Sequence, residues 1–126
     1  MLKVLFIDDD AYILSAYQRM LHSSPYQCSY LQQPTDLWQL LEFQPFDIVL
    51  ADQQMPGITG TELLWQLQQR YPAIKRVLIS GDLSFALKQQ SPELTLNATL
   101  SKPCSKAALL ECLQSHGRSE QYQHDK

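Results

Sequence analysis

The chain has 126 residues, of which 44% are hydrophobic and 18% are charged, and its formal net charge is −3. This size and composition are typical of one soluble globular domain with a single core. The weak negative charge argues against direct binding to nucleic acid or an anionic membrane, and no apolar run is long enough to span a bilayer. The amino terminus is too short for a signal peptide, and the three cysteines lack metal or redox spacing, so we expect reduced thiols in a cytoplasmic protein.

Strand and helix patterns alternate along the chain. Short apolar runs indicate strands that are buried on both faces, and apolar residues three or four positions apart indicate helices. In chain order, strands are predicted at residues 4–7, 27–32, 48–51, 76–80 and within 94–100, the second being the weakest and the nearest to a sheet edge. Helices are predicted at residues 11–22, 34–41, 59–70, 83–90 and 106–114, with Asp10 as the N-cap of the first.

Proline and glycine mark the ends of these segments. Pro25 ends the first helix, Pro34 opens the second, and Pro56 with Gly57 forms a turn after the third strand. Strand and helix alternate five times, which predicts an α/β fold with a doubly wound five-stranded parallel sheet and helices on both faces. The domain is predicted to span residues 1–115, and residues 116–126 are interpreted as a polar tail or linker stub.

Polar side chains follow the apolar core of four predicted strands. Asp8 and Asp9 follow the first strand, Asp52 the third, Ser80 ends the fourth, and Lys102 follows the fifth. In a right-handed doubly wound sheet these strand ends open on one edge, where ligands bind. Three neighbouring carboxylates need a proton or a divalent cation, and hard oxygen ligands in a hydrated site suit Mg²⁺. With a lysine opposite them, this set can support transfer of a phosphoryl group onto Asp52.

Four segments, in order and each at a strand end, resemble a known family. They are VLFIDDD at residues 4–10, DIVLAD at 47–52 followed by MPG at 55–57 and Gly60, VLISG at 77–81, and LSKP at 100–103. These segments resemble the receiver domain of two-component response regulators. The resemblance covers residues 2–103, with the final predicted helix in the expected place, and it implies the flavodoxin-like receiver fold.

The resemblance implies a metal site and a phosphoacceptor. Asp52 is the expected phosphoacceptor. Asp9 and Asp52 are expected to bind Mg²⁺ directly together with the backbone carbonyl of Gln54, while Asp8 acts through a bound water. Ser80 and Lys102 are expected to contact the phosphoryl group, with a cis peptide bond before Pro103.

The same resemblance implies how the protein signals. A histidine kinase or a histidine phosphotransfer protein is the expected phosphodonor, and the output is expected in a downstream protein or a covalently linked domain. The chain is not expected to be a turnover enzyme acting on an external substrate. The face made by the fourth helix, fifth strand and fifth helix is the expected docking surface, for a partner or for a second copy of the chain.

Three positions depart from the family pattern. Many receivers carry a switching aromatic residue three positions before the lysine, where this chain has Thr99. Coupling would then have to run another way, with Leu83 and Phe85 near the fourth helix as candidates. Gln54 stands where other polar residues are common, and Asp82 adds charge near the mouth of the site, so both are expected to affect dephosphorylation.

Two other functions compete with phosphoryl acceptance. The first is a receiver-like adaptor that binds partners without phosphorylation, which Thr99 favours and the retained acids oppose. The second is a Mg²⁺-dependent phosphohydrolase, which needs a further acid near Asp52 to protonate the leaving group. The residues after Asp52 are Gln53 and Gln54, so the sequence supplies no such acid there.

Overall fold

The computed structural model describes residues 1–117. The five strands are β1 (Lys3–Ile7), β2 (Gln27–Leu31), β3 (Ile48–Asp52), β4 (Lys75–Ser80) and β5 (Ala98–Ser101). The helices are α1 (Ala11–Met20), α2 (Leu37–Phe43), α3 (Gly60–Arg70), α4 (Leu83–Gln89) and α5 (Lys106–Gly117), with a 3₁₀ turn at Pro34–Asp36 before α2. The strands form one sheet in the order β2-β1-β3-β4-β5, and every neighbouring pair is parallel. The predicted doubly wound parallel sheet is confirmed.

The central strands are apolar because helices cover them on both sides. All five residues of β3 are buried, whereas the edge strand β2 has only partly buried or exposed residues. The weak apolar pattern of β2 therefore reflects its position at the edge, as predicted. A parallel sheet needs apolar side chains on both faces of its inner strands.

The helices divide between the two faces of the sheet. One core lies under α1 and α5 and includes Leu14, Leu109 and Leu113. The other lies under α2, α3 and α4 and includes Leu37 and Leu64. Each fully buried leucine contributes about 1.5–3 kcal/mol relative to an exposed one, so these two layers supply most of the driving force for folding.

Carboxylates and hydroxyls begin several of the helices. The Asp10 side chain accepts a hydrogen bond from the Tyr12 amide, so the predicted N-cap of α1 is confirmed. Asp82 caps α4 in the same way. Each such cap satisfies an amide that the helix itself leaves without a partner.

The end of α5 differs from the prediction. The helix continues to Gly117, so His116 and Gly117, which the sequence interpretation assigned to the tail, are helical. The ammonium group of Lys75 in β4 donates a hydrogen bond to the carbonyl of His116 and so satisfies an acceptor in the last turn of α5. This long-range contact is invisible in the local sequence, and the remainder of the predicted tail, residues 118–126, lies outside the described residues. Among residues 1–117, no helix has the length and apolarity needed to cross a bilayer.

The start of α3 packs directly on the end of β3. A Cβ atom at Gly60 would lie 2.4 Å from the Asp52 carbonyl oxygen, which is far inside van der Waals contact. The Gly60 amide also donates to the Gln53 carbonyl at 3.1 Å. Only glycine therefore lets α3 approach the strand end that carries Asp52.

We predict that Gly60→Ala lowers the free energy of unfolding by about 1–3 kcal/mol, because the new methyl group meets rigid backbone. Gly81→Ala is the matched control, since a Cβ atom there meets nothing within 4 Å. The control should leave stability unchanged or raise it by up to about 1 kcal/mol. Urea denaturation of both variants measures the difference, and equal effects would show that the close approach at Gly60 is not limiting.

Candidate functional site

Three carboxylates meet where β1 and β3 end. The parallel register pairs Ile7 with Ala51, so the next residues, Asp8 and Asp52, are neighbours. Carboxylate oxygens of Asp8, Asp9 and Asp52 all lie within 4.8 Å of one another. Asp8 is only 2% exposed and Asp52 only 4%, whereas Asp9 is half-buried at the mouth of the cluster.

Lys102 reaches this cluster from the end of β5. Its ammonium nitrogen lies 2.8 Å from Asp52 Oδ1 and 3.1 Å from Asp8 Oδ2. The Lys102 amide donates to the Ser80 carbonyl at 3.0 Å, which extends the pairing of β4 and β5 by one residue. The peptide bond that follows, Lys102–Pro103, is cis, as the family resemblance implied.

Asp8 is fixed by hydrogen bonds on both oxygens. Oδ1 accepts from the Asp10 amide at 2.9 Å, and Oδ2 accepts from Lys102. The Asp8 amide in turn donates to the Leu31 carbonyl at the end of β2. Asp8 is thus held in one orientation by the turn at Asp10, by β2 and by the Lys102 ammonium.

Burial sets the electrostatics of the site. Desolvation raises the pKa of Asp52; the Lys102 hydrogen bond partly offsets this effect, and the Asp8 and Asp9 charges add to it. Burial alone would lower the pKa of Lys102, but its hydrogen bonds to Asp52 and Asp8 outweigh that effect and hold the pKa above its ordinary value. Lys102 therefore stays charged, and three carboxylates against one ammonium leave an excess of two negative charges when all are ionised.

A tyrosine and a cysteine to which the sequence interpretation gave no role are buried in the core on the α1 and α5 side of the sheet. Tyr17 of α1 is 4% exposed and Cys104 is 8% exposed. The Cys104 thiol donates to the Ser101 carbonyl at 3.4 Å. Burial raises the pKa of both side chains, and for Tyr17 the charges of Asp8 and Asp52 raise the pKa further, so both side chains stay neutral.

Ser80 and Gln54 lie at the same edge, and neither joins the cluster of charges through a side-chain contact in this structure. Ser80 is buried at the end of β4, where its Oγ accepts a hydrogen bond from the Asp82 amide at 3.0 Å. Gln54 lies in the loop after β3 with its side chain exposed. Their roles as phosphoryl contact and metal ligand stay predictions.

Gln53 is the residue at this edge that the sequence interpretation missed. It is completely buried, and its side chain accepts from the Thr61 amide at 2.8 Å and donates to Thr61 Oγ1 at 3.3 Å. Its carbonyl accepts from Gly60, and Thr59 Oγ1 accepts from the Glu62 amide. Gln53 therefore caps α3 and ties this helix to the residue that follows Asp52. The sequence carried no signal for it, because polar residues that follow a strand usually lie in surface loops.

Comparison with known proteins agrees with this geometry. The profile of the response regulator receiver domain family matches residues 4–114. The chain belongs to this receiver domain family.

Individual relatives cover the receiver domain to different extents. A crystal structure of the signal receiver domain of an HD domain-containing protein from Pseudomonas fluorescens Pf-5 superposes with a TM-score of 0.85 at 28% identity, covering 99% of this chain and 98% of that one. The hydrogenase transcriptional regulatory protein HoxA of Cupriavidus necator is 36% identical over 78 residues, which are 62% of this chain but only 16% of HoxA. The chain thus matches about a sixth of that relative's length.

One structural neighbour shows the fold with a metal. It is the receiver domain of a sensor histidine kinase from Pseudomonas aeruginosa PAO1, described as having a magnesium ion coordinated in its active site cleft. Its TM-score is 0.79 at 18% identity, covering 91% of this chain and 96% of that one. At this identity the likeness concerns the fold, which is the flavodoxin-like receiver fold predicted from the sequence.

We predict that Gln53→Ala lowers the free energy of unfolding by about 1–3 kcal/mol, because the buried Thr61 amide loses its acceptor. The adjacent exposed glutamine provides the control, and Gln54→Ala should change stability by less than about 0.5 kcal/mol. Chemical denaturation of the two variants under the same conditions measures both values. A loss of the same size in both would mean that the hydrogen bonds of Gln53 contribute nothing specific.

Proposed function

We propose that this receiver domain is a phosphoacceptor module of a two-component phosphorelay, phosphorylated on Asp52 in a Mg²⁺-dependent reaction. The observation that supports it best is the Asp52 carboxylate, which is buried beside Asp8 and Asp9 and bound to Lys102 at 2.8 Å. A purely structural role would not require two further carboxylates next to a buried one. Such an arrangement is costly to fold and is typical of functional sites.

In this proposal, each side chain of the site has a separate role in phosphoryl transfer. A carboxylate oxygen of Asp52 attacks phosphorus, the bond from phosphorus to the donor histidine nitrogen breaks, and an acyl phosphate forms on Asp52. Lys102 favours the charged form of the carboxylate, and in this proposal it also contacts a phosphoryl oxygen. Ser80 donates its hydroxyl hydrogen to another phosphoryl oxygen.

The donor set fits Mg²⁺. Hard carboxylate oxygens within 4.8 Å of one another, with excess negative charge, suit a small divalent cation that keeps part of its water shell. In this proposal Asp9, Asp52 and the Gln54 carbonyl bind the ion directly, and Asp8 acts through a water molecule. When bound, Mg²⁺ supplies positive charge that neutralises the phosphoryl oxygens during transfer.

The proposed partners follow from this chemistry. A histidine kinase or a histidine phosphotransfer protein donates the phosphoryl group in the cytoplasm, and the phosphorylated domain acts on a downstream protein or on a covalently linked output domain. The protein accepts the group on its own side chain and is not a turnover enzyme on an external substrate. The face of α4, β5 and α5 is the proposed docking surface, and a second copy is one candidate to occupy it.

We expect incubation with acetyl phosphate and Mg²⁺ to add one phosphoryl group to the wild-type chain, measured by intact mass. The adduct should be absent without Mg²⁺ and in Asp52→Asn, which keeps the side-chain shape but loses the nucleophile. Failure of acetyl phosphate, phosphoramidate and a phosphohistidine protein to label the chain would instead favour the phosphorylation-independent adaptor.

We also expect Mg²⁺ to raise the melting temperature, because a ligand that binds only the folded state stabilises it by about 2.7 kcal/mol at one hundred times its dissociation constant. Asp9→Asn should remove most of this rise by deleting a direct ligand. Asp36→Asn is the control, since this exposed carboxylate lies away from the cluster and forms no capping hydrogen bond. The same rise in all three proteins, followed by scanning fluorimetry, would place the bound ion elsewhere.

A further inference from the structure

A chain of hydrogen bonds connects the candidate phosphorylation site to α4. Ser80 Oγ accepts from the Asp82 amide at 3.0 Å, and Asp82 Oδ1 accepts from the Phe85 amide at 3.1 Å. The Asp82 carbonyl accepts from the Ala86 amide at 3.1 Å and so begins the helix. One hydrogen bond therefore joins the buried strand-end hydroxyl to Asp82, and two more join Asp82 to the first turn of α4.

The segment that follows α4 is held separately. The Gln68 side chain of α3 accepts from the Thr95 amide at 2.8 Å and donates to the Glu93 carbonyl at 3.0 Å. Arg76 of β4 donates to the Thr95 carbonyl at 2.9 Å, and its own amide donates to Asn97 Oδ1 at 2.8 Å. The carboxyl-terminal side of α4 is thus fixed to α3 and β4 through contacts that do not involve the candidate site.

The helix itself is weakly held. It has seven residues, of which Ala86 alone is buried, while Phe85 is 51% exposed and Leu87 41%. Just after it, Gln90 Oε1 is buried without a hydrogen-bond partner among the described residues. A helix this short is marginal without its cap and its packing, so its position responds to small changes at its first turn.

On β5, the residue at the usual switching position offers no such side-chain link to Ser80. Thr99 of β5 pairs in register with Leu78 and is exposed, in the position where many receivers carry the switching aromatic residue. A threonine side chain is small and has no ring, so it cannot respond to a movement of Ser80 as an aromatic side chain would. Gly81, between Ser80 and Asp82, is exposed, and even a Cβ atom added there would meet nothing within 4 Å.

We propose that Asp82 couples phosphorylation of Asp52 to the position of α4, in place of an aromatic switch on β5. The inference rests on the proposed phosphorylation of Asp52. Ser80 has one side-chain torsion with separate staggered positions, so a hydroxyl that turns toward the phosphoryl group leaves the Asp82 amide. The first turn of α4 then loses its hydrogen bond to β4 and shifts. The segment at residues 93–97, which is bound to Gln68 and Arg76, stays in place.

The experiment is amide hydrogen exchange followed by NMR, with and without beryllofluoride and Mg²⁺ as a stable mimic of the phosphoryl group. The amide that directly loses its acceptor on activation is that of Asp82, so its exchange in the wild type should accelerate about fivefold, the factor that corresponds to one lost hydrogen bond. Exchange at Phe85 and Ala86 should accelerate as well, because the first turn of α4 shifts. The amides of Thr95 and Asn97 should not change. An activated protein in which α4 keeps its protection while β5 changes would overturn the coupling.

Two variants separate the cap from the charge. Asp82→Ala removes the side-chain acceptor, so Phe85 should exchange rapidly without beryllofluoride and show no further acceleration with it. Asparagine caps helices about as well as aspartate, so Asp82→Asn should respond like the wild type. A full wild-type response in Asp82→Ala would also contradict the proposal.

The outcomes distinguish the coupling from the function beneath it. Wild-type protein that takes neither a phosphoryl group by intact mass nor beryllofluoride by NMR overturns both proposals. Protein that binds beryllofluoride but leaves Phe85 and Ala86 unchanged overturns only the coupling. Accelerated exchange in the wild type and in Asp82→Asn, with its loss in Asp82→Ala, supports both.

Discussion

The contact between Lys102 and the two buried carboxylates of Asp52 and Asp8 is the interaction on which the site depends. Three acids in so small a space repel one another, and burial removes the water that would screen them. A lysine within 3.1 Å of both buried acids offsets part of this cost. The remaining negative charge suits a divalent cation, which the proposed phosphoryl transfer requires.

The parallel sheet supplies the geometry that this contact requires. Asp8, Asp52 and Lys102 come from three strands separated by long stretches of sequence, and the register of β1, β3, β4 and β5 brings their ends to one edge. Gly60 and Gln53 then hold α3 against that edge, by a missing Cβ atom and by two side-chain hydrogen bonds. Stability and function therefore share the same strand end.

The elements around the site differ in how firmly they are held. The Asp8 carboxylate is fixed by a backbone hydrogen bond, Asp8 and Asp52 are both bound to Lys102, and the loop after α4 is fixed by Gln68 and Arg76. Between them lies α4, which has one buried residue and a first turn tied to Ser80 through Asp82. A protein that must transmit a local change needs a rigid site beside an element that can move, and the weakly packed α4 is the element that the proposed coupling would move.

The sequence by itself determined the α/β class and which strands carry polar residues at their ends. It also identified the acids and the lysine that cluster. These follow from local apolar runs and from residues at the strand ends, which short-range patterns record. Only the tertiary structure decided that Gln53 is buried against Thr61, that Tyr17 and Cys104 are buried on the α1 and α5 side of the sheet, and that α5 extends to Gly117. Each of these depends on contacts between residues of different helices, strands and loops. The periodicity of the sequence carries no information about such contacts.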